Sequence, residues 1–115
     1  MNYEFENLDG VLLVRLIGRL VAAYADDFQR QVLDHLGDRR NIVLDLGRMS
    51  HIDSSGLGAM VFLLQKAGTD GGSVKLACLQ DRPRIIFEIT KVFRVFEIFD
   101  SVDAAVKSFE EEPPK

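Results

Sequence analysis

The apolar run Ile42-Val43-Leu44-Asp45-Leu46 constrains this chain most, because a glycine-bearing turn and a helical repeat stand just downstream of it. Aliphatic side chains in near succession, rather than in alternation, mark a strand covered on both faces of its sheet. Asp53-Ser54-Ser55-Gly56-Leu57-Gly58 then leads into an apolar helical repeat at Leu57, Met60, Val61 and Leu64. A covered strand that feeds a helix through a short glycine-bearing turn is the first part of a βαβ unit. The next strand must then return parallel to the first.

The alternation continues downstream. Residues 73–79 read as a strand, and Asp81-Arg82-Pro83 opens a short helix carrying Ile85, Ile86 and Ile89, since proline is tolerated in a first helical turn. Residues 95–99 read as another strand, after which Ser101 caps a last helix with Val102, Val106 and Phe109 turned inward. Upstream, Tyr3 and Phe5 alternate with polar neighbours, Asp9-Gly10 signals a turn, and Leu12, Val14 and Leu16 alternate again. That is a hairpin, with Gly18 expected to break its second strand. A helix is expected from about Asp26, with Asp26 and Asp27 favourably near its positive end. Phe28, Val32 and Leu36 form its buried stripe and Gly37 its stop. The expectation is an α/β domain over residues 1–110, a mixed sheet of about five strands with an N-terminal hairpin and about four helices. Residues 111–115 are expected to fray as an acidic, proline-bearing tail.

Size and charge narrow the function classes. At 115 residues the chain can build one core, and a net charge of −4 with scattered cations disfavours nucleic acid as a direct partner. The longest apolar stretch, residues 11–23, is interrupted by Arg15 and Arg19 and falls short of the roughly 20 residues a bilayer span requires, so no membrane insertion is expected. Glu4, Glu6 and Asp9 are the wrong charge for the start of a signal peptide. The single cysteine, Cys78, lies in an apolar run and reads as a reduced core thiol, which suits a cytoplasmic protein.

The turn at Asp53 carries the chemistry. Two hydroxyls and a carboxylate sit at the positive end of a helix, between glycines that allow another molecule close to the backbone. A phosphoryl group on Ser54 would add about −1.5 to −2 charges beside Asp53 and could use the amides of the helix end. The plainer reading is that Asp53, Ser54 or Ser55 caps the helix, a role worth about 1 kcal/mol. Leu57 and Gly58, three residues beyond Ser54 and Ser55, complete no capping box. His51 near Ser54 does not make a hydrolase, for the Gly-x-Ser-x-Gly turn of a nucleophile elbow is missing. His35 is expected on the surface of its helix. Two histidines and one cysteine are too dispersed for a metal site, and no phosphate-binding Gly-x-x-x-x-Gly-Lys occurs, so no cofactor is expected. In residues 87–96 the many apolar side chains are read as ordinary core, with Phe93 the candidate for a partner surface.

The strand Asn41-Ile42-Val43-Leu44-Asp45-Leu46 followed by Ile52-Asp53-Ser54-Ser55-Gly56-Leu57-Gly58 resembles the STAS domains, and among them the bacterial anti-sigma-factor antagonists. The likeness extends to Val14-Arg15-Leu16-Ile17-Gly18-Arg19-Leu20 and to Phe96-Glu97-Ile98-Phe99-Asp100-Ser101. The resemblance implies a partner-switching protein that is ligand and substrate rather than enzyme. Ser54, the first serine of the motif, would be phosphorylated by an ATP-dependent kinase that is also the anti-sigma factor. The unphosphorylated antagonist would bind that kinase, and a Ser/Thr phosphatase would restore the binding form. Asp53, Ser55, Gly56, Leu57 and Gly58 would surround the phospho-site. The family often has an acid after Gly-x-Leu where this chain has Val21, so Val21-Ala22-Ala23 would give that surface an apolar character. The alternative implied is a STAS module that docks without phosphorylation, as a scaffold or an accessory subunit of a membrane transport complex.

Overall fold

Asp9 and Gly10, both at positive φ (53° and 83°), reverse the chain between β1 (Asn2–Leu8) and β2 (Val11–Leu20). Positive φ at both turn residues matches the twist of a two-residue hairpin. The computed structural model describes residues 1–110. After the hairpin come α1 (Ala22–Leu36), β3 (Asn41–Ile52), α2 (Ser54–Thr69), β4 (Val74–Ala77) and α3 (Asp81–Thr90). A short 3-10 turn, Val92–Arg94, then precedes β5 (Ile98–Phe99) and α4 (Val102–Glu110). The five strands lie in the order β1-β2-β3-β4-β5, with β1 antiparallel to β2 and every later pair parallel. The expected α/β fold with a mixed five-stranded sheet and four helices is the observed one.

Strand parity assigns the layers. Leu12, Val14, Leu16, Ile42, Leu44 and Leu76 enter a large core with Phe28 and Val32 of α1, Met60 and Leu63 of α2, and Phe87 of α3. Their neighbours Val11, Leu13, Val43 and Ala77 point to the other face and meet Ala105 and Val106 of α4. Because the strand order is monotonic and the crossovers have one hand, α1 to α3 cover one face. Among the described helices only α4 covers the other. Ser101 caps α4 as expected, its Oγ accepting the Ala104 N–H at 3.1 Å.

Several local expectations fail, each for a physical reason. Gly18 does not break β2; it sits at φ +112 inside the strand, and the shifts in the β2–β3 register fall on either side of it. Helix α1 starts at Ala22, four residues before Asp26, so neither acid lies in its first turn. Asp27 instead ties α1 to the hairpin, accepting Tyr3 Oη–H at 3.2 Å and Arg30 Nη2–H at 3.0 Å. The Arg30 guanidinium lowers the Asp27 carboxyl from its ordinary pKa. Strand β3 runs on to Ile52 because its parallel ladder with β2 continues through Leu20–Ile52. The strand expected over 95–99 shrinks to Ile98–Phe99, because Val95 still closes the 3-10 turn, its N–H donating to the Val92 carbonyl at 3.0 Å, and Phe96 and Glu97 lead from it to the sheet.

Helix α3 buries Pro83 and Phe87, whereas Ile85 and Ile89 stand in solvent. The apolar stretch 87–96 therefore divides, Phe87 and Phe96 entering the core and Phe93 and Val95 remaining exposed. Cys78 is not a core residue either: it is half-buried just past β4 at φ +61, where burial pushes its thiol pKa up. His35 is on the surface as expected, its ring stacked on Phe5 with centroids 3.6 Å apart. The expected tail, 111–115, lies outside the described residues.

Candidate functional site

Two helices begin at one carboxylate. Asp53 is the N-cap of α2 in extended conformation, and its Oδ1 accepts the Gly56 N–H at 2.9 Å. Its Oδ2 accepts the Ala22 N–H at 3.0 Å, the first amide of α1. Each oxygen thus meets an amide that helix geometry leaves without an intrahelical partner. The hydrogen bond from Gly56 first, and that from Ala22 after it, hold the Asp53 carboxyl below the usual carboxylate range against the upward push of burial. Val21, the N-cap of α1, offers no side-chain cap, and the carboxylate across the gap supplies it instead.

The backbone supports this arrangement. The Asp53 N–H donates to the Leu20 carbonyl at 3.3 Å, so the ends of β2 and β3 and the starts of α1 and α2 meet in one place. The two glycines of the motif do different work. A Cβ on Gly56 would fall 2.3 Å from the Leu20 carbonyl oxygen, so glycine there lets α2 press against β2. A Cβ on Gly58 would meet nothing within 4 Å, and the fold makes no use of its bareness.

Leu57 is buried, whereas Ser54, Ser55 and Gly58 are exposed and Val21 is half-buried, with exposed Ala22 and Ala23 beside it. All seven residues singled out at this turn are therefore brought together, but in two classes. Asp53, Gly56 and Leu57 build the turn; Ser54, Ser55, Gly58 and the Val21 segment face outward. Sequence reasoning missed the second helix on Asp53, because the Ala22 amide lies 31 residues away. It also missed Phe62, 43 % exposed. Phe62 is four residues from Gly58 and seven from Ser55, a spacing that places all three on one helix face. His51 is exposed and its Nδ1 lies 3.0 Å from Ser50 Oγ, so it is engaged away from Ser54.

A family description named STAS domain matches residues 2–105. The chain belongs to the STAS domain family. Among curated relatives, it is 29% identical over its full length to the full length of BtrV, a candidate anti-sigma factor antagonist of Bordetella bronchiseptica. It is 28% identical to an anti-sigma F factor antagonist of Paenibacillus polymyxa, with 96% of each chain covered. Among solved structures, the Bacillus cell fate determinant SpoIIAA in its phosphorylated form superimposes with a TM-score of 0.72 at 17% identity, over 94% of this STAS chain and 99% of that one. At that identity the match speaks to the fold. No helix among the described residues of this STAS domain is long and apolar enough to cross a membrane.

Proposed function

We propose that this STAS domain is an anti-sigma-factor antagonist that works by partner switching. Unphosphorylated, it binds a kinase-type anti-sigma factor through the surface around Ser54; phosphorylation at Ser54 releases the partner, and a Ser/Thr phosphatase resets the site. The chain is then ligand and substrate, not catalyst, and needs no cofactor of its own. The observation that supports this best is an exposed Ser54 beside an Asp53 whose two oxygens are already engaged by helix amides. Similarity along the whole chain to antagonists of anti-sigma factors supports it as well.

The engaged carboxylate sets the sign of the effect. An added phosphate would find the Gly56 amide already taken by Asp53, and a carboxylate repelling it from the next residue. Its charge would remain at the surface rather than being absorbed by the fold. In a docked interface that dianion would meet desolvation and like-charge costs of several kcal/mol. Since every 1.4 kcal/mol is tenfold in affinity, one phosphate would weaken binding by about 10²-fold or more. Ser54 rather than Ser55 is chosen because it matches the first serine of the family motif.

Capture from native lysate on immobilised Ser54→Ala and Ser54→Asp chains, read by mass spectrometry, tests this reading. A kinase-type anti-sigma factor held by the alanine form and lost by the aspartate form is expected. The same partners held equally by both would indicate a docking module independent of phosphorylation.

A further inference from the structure

Exposed apolar side chains gather along one helix. Among the described residues six large hydrophobic side chains are exposed, and four of them fall between Ile85 and Val95: Ile85 (57 %), Ile89 (74 %), Phe93 and Val95. Single exposed apolar residues are ordinary, but a cluster of this kind marks an interaction surface. Ile85 and Ile89 stand one turn apart on the outer side of α3, opposite the buried Phe87, and form a ridge. A groove lies on each flank of it. One, of about 470 Å³, has Arg84, Glu88, Phe93 and Phe96 in its walls. The other, of about 240 Å³, lies between the ridge with Ile86 and the end of β3 at Ser50, His51 and Ile52, so this face runs on toward the Ser54 turn.

Most charges of α3 stand at the wrong ends of their own helix. Arg82 and Arg84 lie in its first turn and Glu88 in its last, where no basic residue accompanies it. The positive N-terminal end disfavours the two cations, and the negative C-terminal end disfavours the carboxylate. Only Asp81, in the first turn, suits the dipole of its own helix. Among the described residues neither Arg82, Arg84 nor Glu88 enters an ion pair. Arg84 donates instead through Nη2 to the Leu79 carbonyl at 3.0 Å. A second α3 laid antiparallel would correct both mismatches at once.

A two-fold axis across the middle of α3 sets Ile85 of one copy beside Ile89 of the other. On the flank that carries Arg84 and Glu88, it sets Arg84 of each copy beside Glu88 of the other, so every contact is made twice. Arg82 then comes to the C-terminal carbonyls of the opposite helix, where a cation is favoured. We infer that the free chain self-associates through α3 as an antiparallel, isologous dimer. Ten residues of helix make a contact at the small end of specific interfaces, so the dimer is reversible and concentration-dependent. An unlike protein is the competing occupant. It would have to present two apolar side chains, a base and an acid in matching order, which the chain itself already does. Pairing through α3 takes nothing from the phosphorylation reading, although the second copy would stand beside the Ser54 turn.

Sedimentation equilibrium of the full chain from micromolar to millimolar concentration, at low salt, tests the pairing. A monomer–dimer equilibrium is expected. Ile89→Asp should weaken it about 10²-fold or more, since the two-fold counts each loss twice. Arg84→Glu and Glu88→Arg, each alone, turn both cross-pairs repulsive and should weaken it about tenfold. Mixed in equal amounts, these two variants should associate as tightly as the parent chain, because each supplies the charge the other lacks. Glu88 and Ile89 are exposed, so their variants should melt like the parent chain, which separates lost pairing from lost structure. A chain that stays monomeric throughout, an Ile89→Asp variant that pairs like the parent, or a mixture no tighter than its components would each overturn the proposal. No anti-sigma factor enters this measurement, so its failure would leave partner switching standing and give the α3 face to an unlike protein.

Discussion

The two glycines of the Ser54 turn should respond to the same substitution with opposite signs. In Gly56→Ala the new Cβ would sit 2.3 Å from the Leu20 carbonyl oxygen and 2.9 Å from both Ile52 Cγ1 and Leu20 Cγ. A carbon–oxygen contact is comfortable about 1 Å further out, so α2 must withdraw from β2 by roughly that distance. The obstacle is backbone and cannot swing aside. Withdrawal also stretches the Asp53 N–H bond to the same carbonyl, which is 3.3 Å to begin with. Overpacking of about 1–3 kcal/mol, with a hydrogen bond worth about 1 kcal/mol, outweighs the helix-propensity gain of up to about 1 kcal/mol. The net loss should be about 1–3 kcal/mol. In Gly58→Ala nothing opposes that gain, and stability should rise by about 0.5–1 kcal/mol. Urea unfolding of the two variants reads the difference directly. Equal effects, or a stabilised Gly56→Ala, would refute the claim that Gly56 serves the fold and Gly58 does not.

The same geometry has other consequences. Asp53→Ala removes caps from two helices and should cost about 2 kcal/mol, measurable in the same unfolding assay. Because the folded Asp53 carboxyl is depressed below its ordinary value, its contribution should be fully present above the unfolded pKa of about 4 and be lost as pH falls through the folded value. A midpoint of Asp53→Ala that approaches the parent chain's in acid would agree; a gap that widens would not. Lys75, 2 % exposed, holds the last turn of α4 through Ser108 Oγ at 2.8 Å and the Phe109 ring at 4.1 Å, and pairs with Glu97, just before β5, at 3.0 Å. Lys75→Ala should destabilise by about 2–5 kcal/mol through the cavity it leaves, and Lys75→Met by distinctly less, since an apolar chain of similar length refills the site and the carboxylate left behind, Glu97, is 62 % exposed. Equal losses in thermal melts would show that the ammonium's contacts, and not packing, account for the lysine.

Much of the fold was legible in the sequence because local and global signals agreed. The apolar succession at 42–46, the turn at Asp53 and the repeat through Leu64 all specify the same strand–turn–helix, and the structure has it. The hairpin was readable from Asp9-Gly10 for the same reason. Reading failed where the deciding partner was distant in the chain. Val21 and Ala22 carry no helix-start signal, and α1 begins there because a carboxylate 31 residues away accepts the Ala22 amide. Gly18 looked like a strand breaker until β3 ran alongside it. The isoleucines of α3 were read as apolar without regard to side. Phe87 fills the inward position, leaving Ile85 and Ile89 outside. Ser54, Ser55 and Gly58 could be singled out in advance, but only coordinates separate them from Asp53 and Gly56, which hold the turn together.

Partner switching turns on what one phosphate on Ser54 does. The most direct measurement is a binding titration of the purified cognate anti-sigma factor against the unmodified chain and the chain phosphorylated at Ser54, with unfolding midpoints recorded for both. Partner switching predicts an affinity lower by about 10²-fold or more after phosphorylation, with the fold retained. Equal affinities for the two forms would contradict it.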